Sequence, residues 1–286
     1  MVSVDHPERV IRALDRLRPL SRRRRPPHFD VHRLLIAARQ EAGLDDFGEP
    51  SFREGLDRLV ASLDDEADLD RIQRRHWRTE LISLLVRRLV LRDLTKAGSG
   101  RPRPDAIAPV VVIGADAAVR GALASVAGVD LVGETADGDT DLLCSSFASV
   151  RFHGAAGVDR YDSWLLEADL AAAYRLHRID LEHRSATPSR ETLLLTGPDH
   201  LWNLDVIHEV YPASTLIVVD DGVPADRSSP WAGDFDTWWG ARLLEGTARL
   251  ARHRQLWPAE RVVQSTHQVI VSDPAAALGR IARLAG

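Results

Sequence analysis

The residues of this chain able to do chemistry gather at two junctions where an apolar run ends. Leu193-Leu194-Leu195 runs into Thr196-Gly197-Pro198-Asp199-His200, and Thr215-Leu216-Ile217-Val218-Val219 runs into Asp220-Asp221-Gly222. Between them, Leu201 to Val210 has helical spacing and Tyr211-Pro212-Ala213-Ser214 reads as a turn. The order is strand, loop, helix, strand, loop. Both polar groups therefore fall at carboxyl ends of strands, where open α/β sheets bind ligands. His200 is the candidate general base, because imidazole titrates near neutrality; a helix-start histidine satisfied by the backbone is the competing reading. Asp199 reads as a helix N-cap. Asp220-Asp221 has the form of a divalent-cation pair, but no further carboxylate or glycine-rich phosphate loop supports it, and no metal site is assigned. The histidines at 177 and 183 do not share a helical face well, and His153 and His267 lack ligand spacing. Trp238-Trp239 reads as core or interface. Lys96 is the only lysine, so no loop near these junctions supplies a catalytic ammonium. Arginine's planar fork does not replace that point charge without moving the geometry.

The elements that must position these groups follow from hydrophobic period and punctuation. A short helix fits residues 7–20, with Val10, Ile11, Leu14 and Leu17 on one face, and Arg22-Arg23-Arg24-Arg25-Pro26-Pro27 breaks it. Residues 1–27 read as a flexible basic segment, the arginine run as a solvated linker. Helical spacing returns at 29–43, 51–64 and 70–95, making residues 28–97 a helical region. Ala97-Gly98-Ser99-Gly100-Arg101-Pro102-Arg103-Pro104 is the clearest linker, assigned to 98–107. An α/β core then occupies 108–286. It opens with Val110-Val111-Val112-Ile113, an apolar run of the kind found in sheets buried on both faces. A helix near 117–127, a strand near 129–133, a helix over 141–150 and a long helix over 168–185 follow. Strands near 192–195, 215–219 and 261–265, and helices near 200–210, 235–256 and 274–285, complete an α/β fold with a mostly parallel sheet. Residues 222–231 read as a polar loop.

Composition narrows the function classes. The chain has 286 residues, 44% of them hydrophobic, enough for a sizeable core. A net charge of −5 gives no global attraction to nucleic acid. No run reaches the roughly 18 apolar residues of a membrane span. The start, Met1-Val2-Ser3-Val4-Asp5-His6, has no apolar h-region, and Cys144 is the lone cysteine, excluding an internal disulfide. A cytoplasmic location is the expectation.

The two junctions resemble those of the PAPS-dependent sulfotransferases, especially an actinobacterial branch. There a Leu-Lys-Ser-Pro-x-His loop leads to a helix, a Tyr-Pro-Asp-Ala turn, and a strand ending in His-Arg-Asp-Pro. This chain keeps Leu195, Pro198, His200, Leu201, Leu204, Tyr211, Pro212, Ala213 and Asp221. Asp46-Phe47-Gly48-Glu49-Pro50-Ser51-Phe52-Arg53-Glu54-Gly55-Leu56 is similar to the family's amino-terminal helical signature. Tyr161, Trp164, Leu165 and Tyr174 fit its middle helices, and Val271-Ser272-Asp273-Pro274 fits its carboxyl end. The likeness covers roughly residues 30–286, with an apparent deletion near Ala136–Thr140. It implies a P-loop-like three-layer core, PAPS as cofactor, and a cradle formed where family members carry Gly-x-x-Arg-Ser/Thr-Gly-Thr-Thr after the first strand. Here that segment is Gly114-Ala115-Asp116-Ala117-Ala118-Val119-Arg120-Gly121. Gly114, Arg120 and Gly121 are the vestigial cofactor-binding candidates. Ala117 stands for the arginine, and Val119 for the central glycine, where a branched side chain resists positive φ and crowds a phosphate. Thr196 stands for the lysine, Gly197 for the serine and Asp220 for the second arginine.

Residues 110–138 are also similar to the opening of a response-regulator receiver. The acidic pair expected there falls on Gly114-Ala115, and no matching phosphoacceptor strand follows, so the likeness reduces to a common strand–helix–strand geometry. Three functional readings remain. The first is a sulfotransferase-like protein that has lost ordinary PAPS-dependent transfer and serves as a binding or partner subunit, with a homologous sulfotransferase or a second copy of itself as partner. The second is an active enzyme with an atypical PAPS site built on Arg120, His200 and nearby arginines. The third is a small-molecule binder or metal-dependent enzyme using the acidic pocket.

Overall fold

The structure, a computed structural model, describes residues 28–97, 107–126, 128–131, 140–184, 192–219 and 235–285. Arg22 to Arg25, the segment 132–139, Asp220, Asp221 and the 222–231 loop lie outside the described residues. Among the described residues three helices come first: α1 (Val31–Ala42), α2 (Phe52–Asp65) and α3 (Arg71–Lys96). Each answers to a capping signal or an apolar face. Asp30 caps α1 by accepting from the Arg33 N–H, and Gly43 ends it with φ 65°. Asp70 opens α3 in a capping box, its carboxylate taking the Ile72 and Gln73 N–H groups while Gln73 accepts from the Asp70 N–H.

The core alternates strands and helices. β1 (Val110–Ile113) leads to α4 (Ala117–Ala124) and β2 (Val129–Leu131). Four helices follow before the chain re-enters the sheet: α5 (Thr140–Cys144), α6 (Arg151–Ala156), α7 (Asp159–Glu167) and α8 (Ala171–Arg184). Then come β3 (Thr192–Leu195), a 3₁₀ turn at Pro198–Trp202, α9 (Leu204–Val210) and β4 (Thr215–Val219). The chain finishes with α10 (Phe235–His253), β5 (Val262–Ser265), α11 (His267–Ser272) and α12 (Pro274–Ala285). The five strands are all parallel, in the order β2-β3-β1-β4-β5. Val110 pairs with Leu194 on one side and Thr215 on the other. β1 therefore lies between β3 and β4, and the carboxyl edge of the sheet, where the turns after β1 and β3 leave, is the candidate crevice.

Both sheet faces are covered, which explains the unbroken apolar runs of β1 and β4. One face carries Val110, Val112, Ile217 and Val263 against Val119, Leu123, Ile270 and Leu278 of α4, α11 and α12. The other joins Val111, Ile113 and Leu216 to a larger cluster that reaches Leu34 and Leu35 of α1 and Leu81, Leu85 and Leu89 of α3. The expected helix over 141–150 is corrected: α5 ends at Cys144, and Phe147 takes φ 53°, which no helix accommodates. The expected helix over 200–210 divides at Asn203 into the 3₁₀ turn and α9. Among the described residues no helix is long and apolar enough to cross a membrane.

Three cations of α3, each four residues apart, bind the loop before α2. Arg88 is buried; it donates to the Phe47 and Glu49 carbonyls at 2.9 and 3.0 Å and to Ser146 Oγ at 3.1 Å, and lies 4.3 Å over the Phe52 ring. Burial lowers its pKa to about 10. Arg92 and Lys96 reach Asp46 at 3.4 and 2.7 Å. The sole lysine is thus spent on architecture. With the Lys96 ammonium and the Gly48 N–H beside it, Asp46 falls from 3.8 to about 2.

Two predictions follow from this packing. A carboxylate with a depressed folded pKa stabilises above its unfolded value and loses that contribution as pH falls through the folded one. The urea midpoint of Lys96→Gln should fall less than wild type between pH 4 and about 2; parallel curves would remove Asp46 from the acid transition. At Gly55, an added Cβ would sit 2.5 Å from the Phe147 carbonyl oxygen. Gly55→Ala should cost about 1–3 kcal/mol in urea unfolding, and an unchanged midpoint would mean the two segments separate freely.

Candidate crevice site

The floor of the crevice is the turn after β1. Gly114 has φ +85°, and a Cβ there would lie 3.0 Å from the Val219 carbonyl oxygen. Glycine is required for both reasons: a left-handed backbone and close approach to β4. Asp116 then caps α4, its Oδ1 accepting from the Val119 N–H at 2.8 Å. Its Oδ2 lies 3.0 Å from His267 Nε2, at the start of α11. Arg120 turns back from α4 and donates to the Ala115 carbonyl at 2.9 Å. A carboxylate of the chain itself thus occupies the helix N-terminus, where partial positive charge and free N–H groups would otherwise receive an external anion.

Of the sequence candidates, Gly114 and Arg120 flank this turn. Gly121 does not: it lies in the second turn of α4, exposed, with nothing within 4 Å of an added Cβ. The expectation for Val119 is also corrected. It is helical, fully buried, and packed with Val110, Val112 and Leu123 in the layer beneath the sheet, so it crowds no phosphate and meets no positive-φ demand.

The β3 junction is equally tied down. His200 is 0% exposed. Its Nδ1 is 2.9 Å from the Tyr174 hydroxyl, and its ring meets His177 edge-on at 5.9 Å. His177 Nδ1 lies 2.6 Å from the Tyr211 hydroxyl. Four buried rings, from α8, the β3 junction and the turn before β4, therefore interlock. A base must reach the proton it takes, and in this conformation His200 has no exposed surface. Thr196, at the lysine position, is 3% exposed.

Asp199 does not cap its own turn, whose N-cap, Gly197, has no side chain to offer. Its carboxylate instead accepts from Ser149 Oγ at 2.9 Å and the Val150 N–H at 2.8 Å, capping the start of α6 from a distance. α10 clamps the same turn. Arg249 donates to the Trp202 carbonyl at 2.9 Å, and Trp202 Nε1 donates to the Arg242 carbonyl at 2.8 Å. An added Cβ at Gly246 would lie 2.5 Å from Leu201 Cδ2. Arg242 itself pairs with Asp162, both buried, and Asp162 also accepts from Trp238 Nε1 at 2.7 Å.

Sequence reasoning missed two members of this arrangement. His267 was set aside for want of ligand spacing, and it meets Asp116 through the fold rather than through local spacing. Asp162 reaches Arg242 the same way. Among the described residues, no group of three or more His, Cys, Asp or Glu is placed to hold a metal.

With this geometry in place, the fold can be compared with known structures. The crystal structure of sulfotransferase STF1 from Mycobacterium tuberculosis superposes with TM-score 0.74 at 20% identity, covering 91% of this chain and 90% of that one. That of sulfotransferase STF9 from Mycobacterium avium superposes with TM-score 0.76 at 17% identity, covering 91% and 85%. At such identity the likeness is one of fold, and it is the fold expected from the junction motifs. No family model and no curated protein matches the chain.

The residues present do not fit PAPS in the pose the fold implies. The α4 N-terminus carries Asp116, Arg120 is turned onto Ala115, and a buried threonine replaces the lysine. Asp199 is a structural group, and Asp199→Ala should cost roughly 2–5 kcal/mol in chemical unfolding by leaving two buried donors without their acceptor. A loss below 1 kcal/mol would remove it from the framework.

Proposed function

We propose that this chain is a sulfotransferase-like protein that has given up ordinary PAPS-dependent sulfuryl transfer and acts as a binding or partner subunit. The observation that carries the reading is the Asp116 carboxylate seated on the first turn of α4 and paired with His267. Sulfuryl transfer needs cationic groups to offset charge developing on the bridging oxygen, and a phosphosulfate over α4 would meet a carboxylate instead. Two like charges about 4 Å apart repel by roughly 4 kcal/mol at an effective dielectric near 20, close to a thousandfold in affinity. The lysine position offers no compensation, since Thr196 is neutral and buried. The partners that fit the fold likeness are a homologous sulfotransferase or a second copy of this chain.

Calorimetry with 3′-phosphoadenosine-5′-phosphate tests this directly. Wild type should give no binding heat at millimolar ligand, and Asp116→Asn, which keeps a capping oxygen without the charge, should bind more tightly than wild type. Micromolar affinity in the wild-type protein would overturn the proposal and favour an active enzyme with an atypical cofactor pose.

A further inference from the structure

The first two turns of α3 present a surface that nothing in the fold accounts for. At 100° per residue, Arg78, Arg71 and Arg75 fall side by side on the helix, with Thr79 and Ile72 next around the same arc. All five are exposed, and Ile72 is 78% exposed, the most of any large apolar side chain among the described residues. Several exposed arginines elsewhere are paired: Arg33, Arg53, Arg58 and Arg160 each have a carboxylate within 4.0 Å, whereas Arg39, Arg252 and Arg254 stand singly or at a helix end without one among the described residues. Arg71, Arg75 and Arg78 have none among the described residues, and the first turn of α3 contains no acidic residue. Three of the nearby carboxylates are committed elsewhere. Asp64 holds Arg74, Asp70 caps the helix, and Glu80 faces Arg151; Asp68 is exposed and makes no ion pair. Like charges at i and i+4, and a cation at a helix N-terminus, both disfavour this arrangement in isolation.

We propose that this arc binds an acidic segment of another protein, its carboxylates on the three guanidinium groups and an apolar side chain against Ile72. The guanidinium fork matches carboxylates in geometry, and arginine is enriched at interfaces relative to the rest of the surface. The arc extends about 10 Å along the axis, at 1.5 Å per residue, so the matching segment is about two helical turns long. A nucleic acid's phosphate backbone would leave Ile72 uncovered. The proposal does not depend on whether the crevice binds nucleotide.

The test uses the full chain and a fluorescein-labelled helical peptide carrying glutamates around a central leucine. A glutamine-substituted peptide and phosphatidylserine vesicles are the comparisons. Anisotropy should show binding to the glutamate peptide that falls at least tenfold in 0.5 M salt. It should fall similarly in Arg71→Gln/Arg75→Gln/Arg78→Gln, and less in Ile72→Ser. Arg33→Gln/Arg53→Gln should bind as wild type. Circular dichroism melts identify a triple variant that fails to fold; in that case the single changes Arg75→Gln and Ile72→Ser carry the test. Equal binding of the two peptides, no loss in the arginine variants, or tighter binding to vesicles than to peptide would overturn the proposal.

Discussion

The first turn of α4 receives its negative charge from within the chain. In an open α/β sheet, the turn after the central strand is the natural seat for a ligand phosphate, because the helix that follows presents free N–H groups and the positive end of its dipole. Here Asp116 supplies an oxygen to that turn at 2.8 Å and is tied to His267 on the neighbouring helix. Gly114 still makes the tight turn, but the reason is now architectural: β4 passes within 3.0 Å of where a Cβ would be. Arg120, the one cation nearby on α4, faces the loop backbone. Asp116 and Arg120 thus both bond to the turn itself.

The same economy appears at the other junction. Asp199 carries a charge into the core, 1% exposed, and meets it with the start of α6 and the Ser149 hydroxyl. Asp162 and Arg242 are both buried and hydrogen-bonded to each other, and Asp162 also accepts from Trp238 Nε1. Buried charges are costly unless every partner is present, so such contacts tolerate few alternative conformations. Together they fix the Pro198–Trp202 turn between α6 and α10. His200, interlocked with Tyr174 and His177, belongs to that framework.

What could be read from the sequence follows the range of the interactions involved. The strands at 110–113 and 215–219 and the three amino-terminal helices announce themselves, because their signals are local: apolar runs for a sheet covered on both faces, and 3.6-residue spacing with Asp30 and Asp70 as caps. The segment 141–150 was misread because Phe147 is held in a left-handed conformation by tertiary packing, with α2 approaching at Gly55. Asp116 could not be read as half of an ion pair, because its partner His267 comes from the far end of the chain. Asp199 looked like a cap for its own turn, and it is a cap, for a helix that precedes it by some fifty residues. The fate of His200 could not be read either, since the rings that enclose it arrive from α8 and from the turn before β4.

The pairing of a shared fold with 17–20% identity has a physical explanation. The fold depends on which positions are apolar and on where chains turn, requirements that many side chains satisfy. Val111, Leu195 and Leu216 need only be of suitable size to fill the space between the sheet and the helices. Cofactor retention depends on a few positions where charge and reach both matter, and there one substitution changes the sign of the interaction. Divergence therefore erodes the second set without disturbing the first, and a sheet can outlast the chemistry once performed at its edge. In this chain the turn at the head of α4 is stabilised by its own carboxylate, because Asp116 caps α4 and pairs with His267. An external anion at this turn would have to displace or neutralise a carboxylate that the present fold uses.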